Sequence, residues 1–482
     1  MATGPMRQGR VLIVDSVRTR LSQRRGSRIL TRPGTEHLIA YSMLREVVDL
    51  GLSDDEALGR IGAGLSDLAV SLRSHSPDEV AKLTGTDAEA IREAAREYAS
   101  ARTATIILTA GMDRRGNSVA LARAAALLAM LTGRIGKRSC GIHVPGDKAN
   151  FQGAIDMGLM PDRLPGFADI LDKDARKKFE AAWDCCLPRE RGLHARQILE
   201  AADNGGICGL YVVGENPLET YPDRQLTARA LENLEFLVVQ DLFLTSTAQA
   251  ADVVLPAQSF TEKVGTYTNA ERRVQRLQPI RKPVGPRSDL EILLSLADLM
   301  GVPSMRNSDP ERVMEEIAEL VDAYRGISYG RLNDGGLQWP CRDSNDPGSA
   351  ILFETDLPEQ EPPAVHVPPL ETDSAKGFDL SLIPTNLKFH SGSLSRWSES
   401  LMEVCPRGEA EMNRQDMMER GIRGGDLVKI TAARGASIVV LVRASSRAAQ
   451  GSVIVPWNLP SLCINELIGW EHPPVRVSVE KS

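Results

Sequence analysis

Apolar residues in this chain fall into short unbroken runs that stop at a polar residue or a glycine, separated by stretches with helical spacing. VLIVD (Val11–Asp15) reads as a strand, followed by an arginine-rich turn and TRPGTE. A helix is predicted from about His37 to Leu50. Another starts at Thr86, where T-D-A-E has the form of a capping box, and runs through IREAAREYAS. ATIILTAG, closed by Gly111, has the continuous apolar pattern of a strand buried on both faces. ALARAAALLAML is apolar nearly all round, which predicts a helix covered on every side.

After a glycine-rich stretch ending at Gly166 the pattern repeats. GLYVVGENP, EFLVVQD and ADVVLP are strands that each end in a turn or a polar stop, and DLEILLSLADLMG is a helix stopped by Gly301. Strands alternating with helices predict an α/β fold of doubly wound, largely parallel sheets with helices on both faces. DLPEQEPPAVHVPPLETDS reads as an extended linker. In the last hundred residues DLVKITAARGASIVVLVRA is a hairpin turning at Arg434-Gly435, and GSVIVPW is a further strand. These shifts give a partial α/β domain over 1–150, a second α/β domain over 151–335, a linker over 336–375 and a small β-barrel over 376–482. No internal repeat is present.

Length and composition narrow the class. With 482 residues, 42% hydrophobic and 25% charged, the chain suits a globular protein of several domains. A net charge of −7 argues against general nucleic-acid binding. No apolar run approaches a membrane span and the first residues lack the form of a secretory signal, so a cytoplasmic location is expected, at most peripheral to a membrane complex. None of the seven cysteines forms a C-x-x-C pair. The chain is therefore expected to be reduced and to carry no iron–sulfur cluster or zinc site of its own.

In an open parallel sheet ligands bind beyond the carboxyl ends of the strands. Here those ends are Asp15, Gly111, Gly214-Glu215-Asn216-Pro217, Gln240-Asp241 and Pro256. Glycine admits close approach of a ligand to the backbone, while Asn, Gln and Asp offer donors and acceptors to a base or ribose. Each residue type is also an ordinary turn former. Several on one rim favour a nucleotide-like ligand. Beyond Pro256 the chain is loaded with Lys263, Asn269, Glu271, Arg272, Arg273 and Arg276, either a solvated loop or the wall of an anion site. Phosphate-loop, dinucleotide, zinc-protease and serine-hydrolase motifs are absent.

NFQGAIDMGLMPDRLPG (Asn150–Gly166), VVGENPLETYP, LVVQDLFLTSTAQAADVVLPAQSFTEKVGTYTNAERRVQR and NRQDMMERGIRGGDLVKITAARG together resemble the molybdopterin oxidoreductase family, nearest to formate dehydrogenase catalytic subunits and the large iron–sulfur subunit of respiratory complex I. The resemblance covers nearly the whole chain. It implies that the terminal barrel is of the double-psi type and that the two α/β parts are nucleotide-binding halves. It implies a cofactor of two molybdopterin guanine dinucleotides carrying molybdenum or tungsten. Asp15, Gly34 and Thr35 would hold one nucleotide, with Gly111 at a neighbouring strand end, and Asn216, Thr220, Gln240 and Asp241 the other. His390 and Asn465 match pterin-contacting positions. The loop arginines would serve pyrophosphate, or pair with Glu262 and Glu271 to fix the loop.

The family pattern also has parts without counterpart. Its cysteine-rich cluster domain and its metal-ligand segment precede the match, so this chain is expected to begin after both, near IVDSVRT (Ile13–Thr19). Where formate dehydrogenases carry a substrate-orienting arginine before Q-G-A-x-D-M-G, Gly146 stands here, and Val17 replaces another family arginine. Lys148 keeps a nearby charge, but as a point rather than a fork. No catalytic residue and no metal ligand is assigned, and the chain is not expected to be catalytically self-sufficient. Two readings follow: a redox-complex subunit whose partner chain supplies the cluster and metal ligand, or a cofactor-free scaffold within a larger redox assembly.

Overall fold

A computed structural model describes residues 9–19, 21, 27–54, 64–109, 117–146, 148–302, 309–352, 377–390, 392–470 and 475–482. They form two compact units, one from residues up to Val144 together with those from Phe353 onward, the other from Pro145–Leu352.

In the first unit, β1 (Leu12–Asp15) and β2 (Ser27–Leu30) pair in parallel, as do β3 (Thr105–Ile107) and β4 (Gly141–His143). The helix Glu36–Asp49 lies at the centre of a helical layer with Pro77–Thr84, Ala88–Ser100 and Ser118–Leu131. Ile39, Tyr41, Leu44 and Val47 of its buried stripe meet Leu72, Ile91, Leu128 and Leu131. Each such side chain contributes roughly 1.5–3 kcal/mol by leaving water. The helix beginning at Ala88 is capped by Asp87, whose carboxylate accepts from the Glu89 amide, one residue later than the predicted start at Thr86.

Two expectations fail here. β3 is three residues long, among the described residues pairs with β4 alone, and leaves Ile107 59% exposed; the run is not a strand buried on both faces. The helix Ser118–Leu131 buries Ala124, Leu128 and Leu131 but leaves Val119 in solvent, so it is covered on one side rather than all round.

The second unit is built on a parallel sheet of β5 (Gly209–Val213), β6 (Phe236–Asp241) and β7 (Val253–Pro256), with β6 central. One face, with Val212, Leu237 and Val239, packs on Leu231 and Ala248. The register puts Tyr211, Val213 and Phe236 on the other face, where they are exposed. The polar segment after Pro256 is an antiparallel hairpin, β8 (Gly265–Thr268) and β9 (Arg273–Leu277), extended by β10 (Leu337–Gln338). Trp339 and Cys341 are buried against Val274 and Tyr324, so residues 337–341 belong to this unit's core and not to an extended linker.

The barrel is closed in the order β11 (Leu380–Thr385), β15 (Ser452–Pro456), β12 (Ala410–Met412), β14 (Ser437–Ala444), β13 (Leu427–Ala432) and β16 (Arg476–Lys481). β13 and β14 form the predicted hairpin; Gly435 in its turn has φ 95°, a conformation that needs glycine. Val428, Ile430, Val440 and Val442 point inward. β15 is buried along its whole length. Val453 and Val455 face the barrel core, and Ile454 packs outward with Ile383, Ala448 and Val17, the residue two beyond the end of β1. The barrel and the first α/β layer therefore share one unit. Among the described residues no helix is long and apolar enough to cross a membrane.

Candidate cofactor site

The carboxyl end of β5 is the most informative strand terminus. Its side chains are set by the turn Gly214–Pro217 and the short helix Pro217–Thr220. Glu215 accepts from the Asn216 amide at 3.0 Å and from the Thr220 hydroxyl at 2.5 Å. The Asn216 side chain is 3% exposed. Its oxygen accepts from the Thr247 amide at 3.1 Å, the Thr247 hydroxyl at 2.7 Å and the Ser246 hydroxyl at 3.0 Å. Because a backbone amide can only donate, this fixes which side-chain atom is the oxygen. The Asn216 Nδ2 then lies buried with no partner among the described residues. A buried donor without an acceptor costs about 1–3 kcal/mol, and such a group calls for an explanation.

The neighbouring strand end is different. Gln240 is fully buried; its oxygen takes the Tyr211 hydroxyl and its nitrogen donates to Asp289 at 2.6 Å, while Asp289 also pairs with Lys263. Gln240 thus has both ends of its amide occupied within the unit. The Asp241 carboxylate accepts from the Leu242 amide at 2.6 Å, holding the turn that leaves β6.

In the first unit, Asp15 ends β1. Its carboxylate accepts from the Val17 amide and its carbonyl from the Thr31 amide, each at 3.1 Å. Thr31 and Thr35 share a hydroxyl bond of 2.7 Å, and Thr35 donates to the Arg32 carbonyl. Gly34 has φ 79°, and its carbonyl accepts from Asn117 Nδ2 at 3.2 Å. Asp15, Gly34 and Thr35 therefore gather at one place, between the end of β1 and the start of the helix Glu36–Asp49. Gly111 lies outside the described residues. His37, the second residue of that helix, is buried, and burial with help from nearby His75 holds its pKa down to about 4.

In the barrel, His390 is fully buried with Nε2 on the Cys405 carbonyl at 2.8 Å and Nδ1 against the Ser395 hydroxyl at 3.2 Å. Both ring nitrogens are used in folding their own loop. Asn465 is buried in the turn Ile464–Glu466.

The arginines after Pro256 are held mainly by main-chain carbonyls and rings, and one of the expected carboxylate pairs, Arg273 with Glu271, is present at long range. Arg272, itself at φ 62°, donates to the carbonyls of Trp339 and Ala350. Arg273 donates to the Gly336 carbonyl at 3.1 Å, and Arg276 lies over the Tyr329 ring. Glu262 accepts from the Ser259 amide, and Arg273 forms a long ion pair with Glu271 at 3.9 Å. These cations tie the hairpin to residues 329–350.

Sequence reasoning also missed a buried carboxyl. Asp156 accepts from Tyr324 at 2.5 Å, Trp339 Nε1 at 2.8 Å and Gln152 at 2.8 Å. Burial raises its pKa, against the lowering effect of those three donors, and burial likewise raises that of Tyr324. The i, i+4 spacing of Gln152 and Asp156 was the available signal. In the same segment, Asn150 accepts from the Thr268 amide at 2.8 Å. A Cβ on Gly146 would stand 2.7 Å from Phe151 Cγ and 2.8 Å from its Cβ, so a longer side chain there needs Phe151 to move.

Comparisons with known proteins accord with this architecture. The family model of molybdopterin oxidoreductase matches residues 13–299, and that of the molybdopterin dinucleotide binding domain matches 380–478. F420-dependent formate dehydrogenase 1 subunit alpha of Methanococcus maripaludis is 31% identical, covering 96% of this chain and 70% of its own length. A subunit of an NADH-quinone oxidoreductase of Rhizobium meliloti is 37% identical, over 70% of this chain and 37% of that protein. The structure of acetylene hydratase from Pelobacter acetylenicus superposes with a TM-score of 0.72 at 17% identity, covering 99% of this chain and 74% of the other, a likeness of fold. With a family model matched across more than half its length, the chain belongs to the molybdopterin oxidoreductase family.

Proposed function

We propose that this chain is a subunit of a molybdopterin-dependent redox assembly and holds the guanine-nucleotide ends of a molybdopterin cofactor. The observation that carries this reading is the buried, unpartnered Nδ2 of Asn216 at the end of β5. A carbonyl or ring nitrogen of a base would satisfy it. Thr220 and Asp241 flank it in the same unit, and Asp15 with Gly34 and Thr35 would hold a second nucleotide in the other. Both ends of the Gln240 amide and both ring nitrogens of His390 have partners within the fold, as do the hydroxyls of Thr220 and Thr35, so Asn216 is the position that carries the reading. When bound, such a cofactor supplies a metal centre for oxidation and reduction. The chain's own part is to bind and orient.

Formate oxidation is not assigned to this chain. The position of the substrate-orienting arginine is Gly146, crowded by Phe151. Service as a subunit, with a cluster and a metal ligand supplied by a partner polypeptide, is supported by apolar side chains left in solvent on the second unit. Ile280, Leu299 and Met300 are more than four-fifths exposed, next in kind to the bare face of Tyr211 and Phe236.

The test is molybdenum, tungsten and guanine-nucleotide content of the native purified protein with any subunits that stay bound. Metal together with guanosine monophosphate released by acid supports the reading. Absence of both leaves the scaffold.

A further inference from the structure

Glu411 is a buried carboxylate on β12, 5% exposed, and it is the hub of the turn that follows β14. It accepts from the Ser445 hydroxyl at 2.6 Å, Arg447 Nη1 at 2.9 Å and Arg443 Nη2 at 2.7 Å. Asn413, two residues along, donates to the Ala448 carbonyl at 3.2 Å. The turn Ser445–Ala448 is thus held by charge-assisted bonds to β12.

That turn is where the exit of β1 docks. The Arg18 amide donates to the Arg447 carbonyl at 3.1 Å, Val17 bridges to Ala448, and the Val17 side chain is buried with Ile383, Ala448 and Ile454. The Val17 amide in turn donates to the carboxylate of Asp15. One continuous path runs from Glu411 through the Arg447 side chain and carbonyl to the Arg18 amide, and through the adjoining Val17 amide to Asp15.

We propose that Glu411 is the positioning residue of the Asp15 nucleotide subsite: its carboxylate fixes the 445–448 turn and thereby the direction of the Asp15 side chain. This deepens the reading above and rests on it for the ligand, but the mechanical link from Glu411 to Val17 stands or falls separately. Asn216 belongs to the other unit and is outside this set of bonds.

The experiment compares the full chain with Glu411→Gln and with Arg447→Gln, which cuts the same link while leaving Glu411 its Arg443 and Ser445 partners. Hydrogen exchange at Val17 and Arg18 is expected to quicken about tenfold or more in both variants, as for a locally opened segment, with β13, β14 and β16 unchanged. Guanosine monophosphate released by acid is expected to fall in both to the level of Asp15→Ala. Unchanged protection at Val17 and Arg18 overturns the proposal, and so does a general rise of exchange throughout the barrel, which would mean mere loss of stability. Nucleotide retention at the wild-type level despite quickened exchange overturns it as well. A wild-type chain without guanine nucleotide refutes the cofactor reading, and the exchange result alone then decides the link.

Discussion

Arg272 lies across the indole of Trp339, its guanidinium carbon 5.1 Å from the ring centre, and donates to the carbonyl of that same residue. The pair fastens the tip of the β8–β9 hairpin to the segment after β10. A fork that stacks and bonds several carbonyls has no substitute in a lysine. Arg272→Lys and Arg272→Ala are both expected to lower stability by about 2 kcal/mol. Urea unfolding followed by tryptophan fluorescence checks this, and full rescue by lysine would show that charge alone suffices.

Beneath that pair sits Asp156. Asp156→Leu leaves the Trp339 indole N–H buried without its acceptor and the Tyr324 hydroxyl with only the longer bond to Thr268, and is expected to cost about 3 kcal/mol. Asp156→Asn keeps one acceptor oxygen and is expected to cost less. The measurement is the ordering of the urea midpoints of the two variants.

Asn216 separates folding from binding. Asn216→Asp retains an acceptor for Thr247 and Ser246 but removes the orphaned donor. Its melting temperature is expected to stay near that of the wild type while acid-released guanosine monophosphate drops severalfold. Asn216→Ala is expected to lose both, with about 1–3 kcal/mol of stability gone. Nucleotide content unaffected by the aspartate would remove this residue from the binding set.

His37 carries a pH dependence. Its ring is held down to about 4 in the folded chain against 6.5 as the ordinary value. The stability of the neutral ring is complete above pH 6.5. It declines as pH falls from 6.5 to about 4, where the unfolded chain takes up the proton first, and is level below that. The total is about 3 kcal/mol at 1.36 kcal/mol per pH unit. His37→Gln is expected to lack this slope, as read from unfolding free energies of both proteins across that window.

Much of the architecture was legible because backbone periodicity is a local signal. β1, β5, β6, β7 and the β13–β14 hairpin all stand where apolar runs and turn residues put them. The β8–β9 hairpin was not, because its strands bury only Thr268 and Val274 fully and otherwise carry mostly polar side chains. Trp339 and Cys341 were hidden between prolines and glycines, and only tertiary packing against Tyr324 marks them as core. At the site, residue type alone did not distinguish Asn216 from Gln240. Both are buried amides at strand ends, and the difference lies in their partners: Asp289 takes the nitrogen of one, and no described residue takes that of the other. The bonds of Arg272 and Arg273 to main-chain carbonyls were illegible for a similar reason, since carbonyl oxygens leave no mark in a sequence.

The seat of Val17 against Ala448 and Ile454 also constrains how the polypeptide matures. These residues are roughly 430 positions apart, so β1 has no completed berth until β15 has left the ribosome. Until then its apolar exit stays open to chaperones and proteases, and any truncation that removes β15 strands the amino-terminal layer in that immature state.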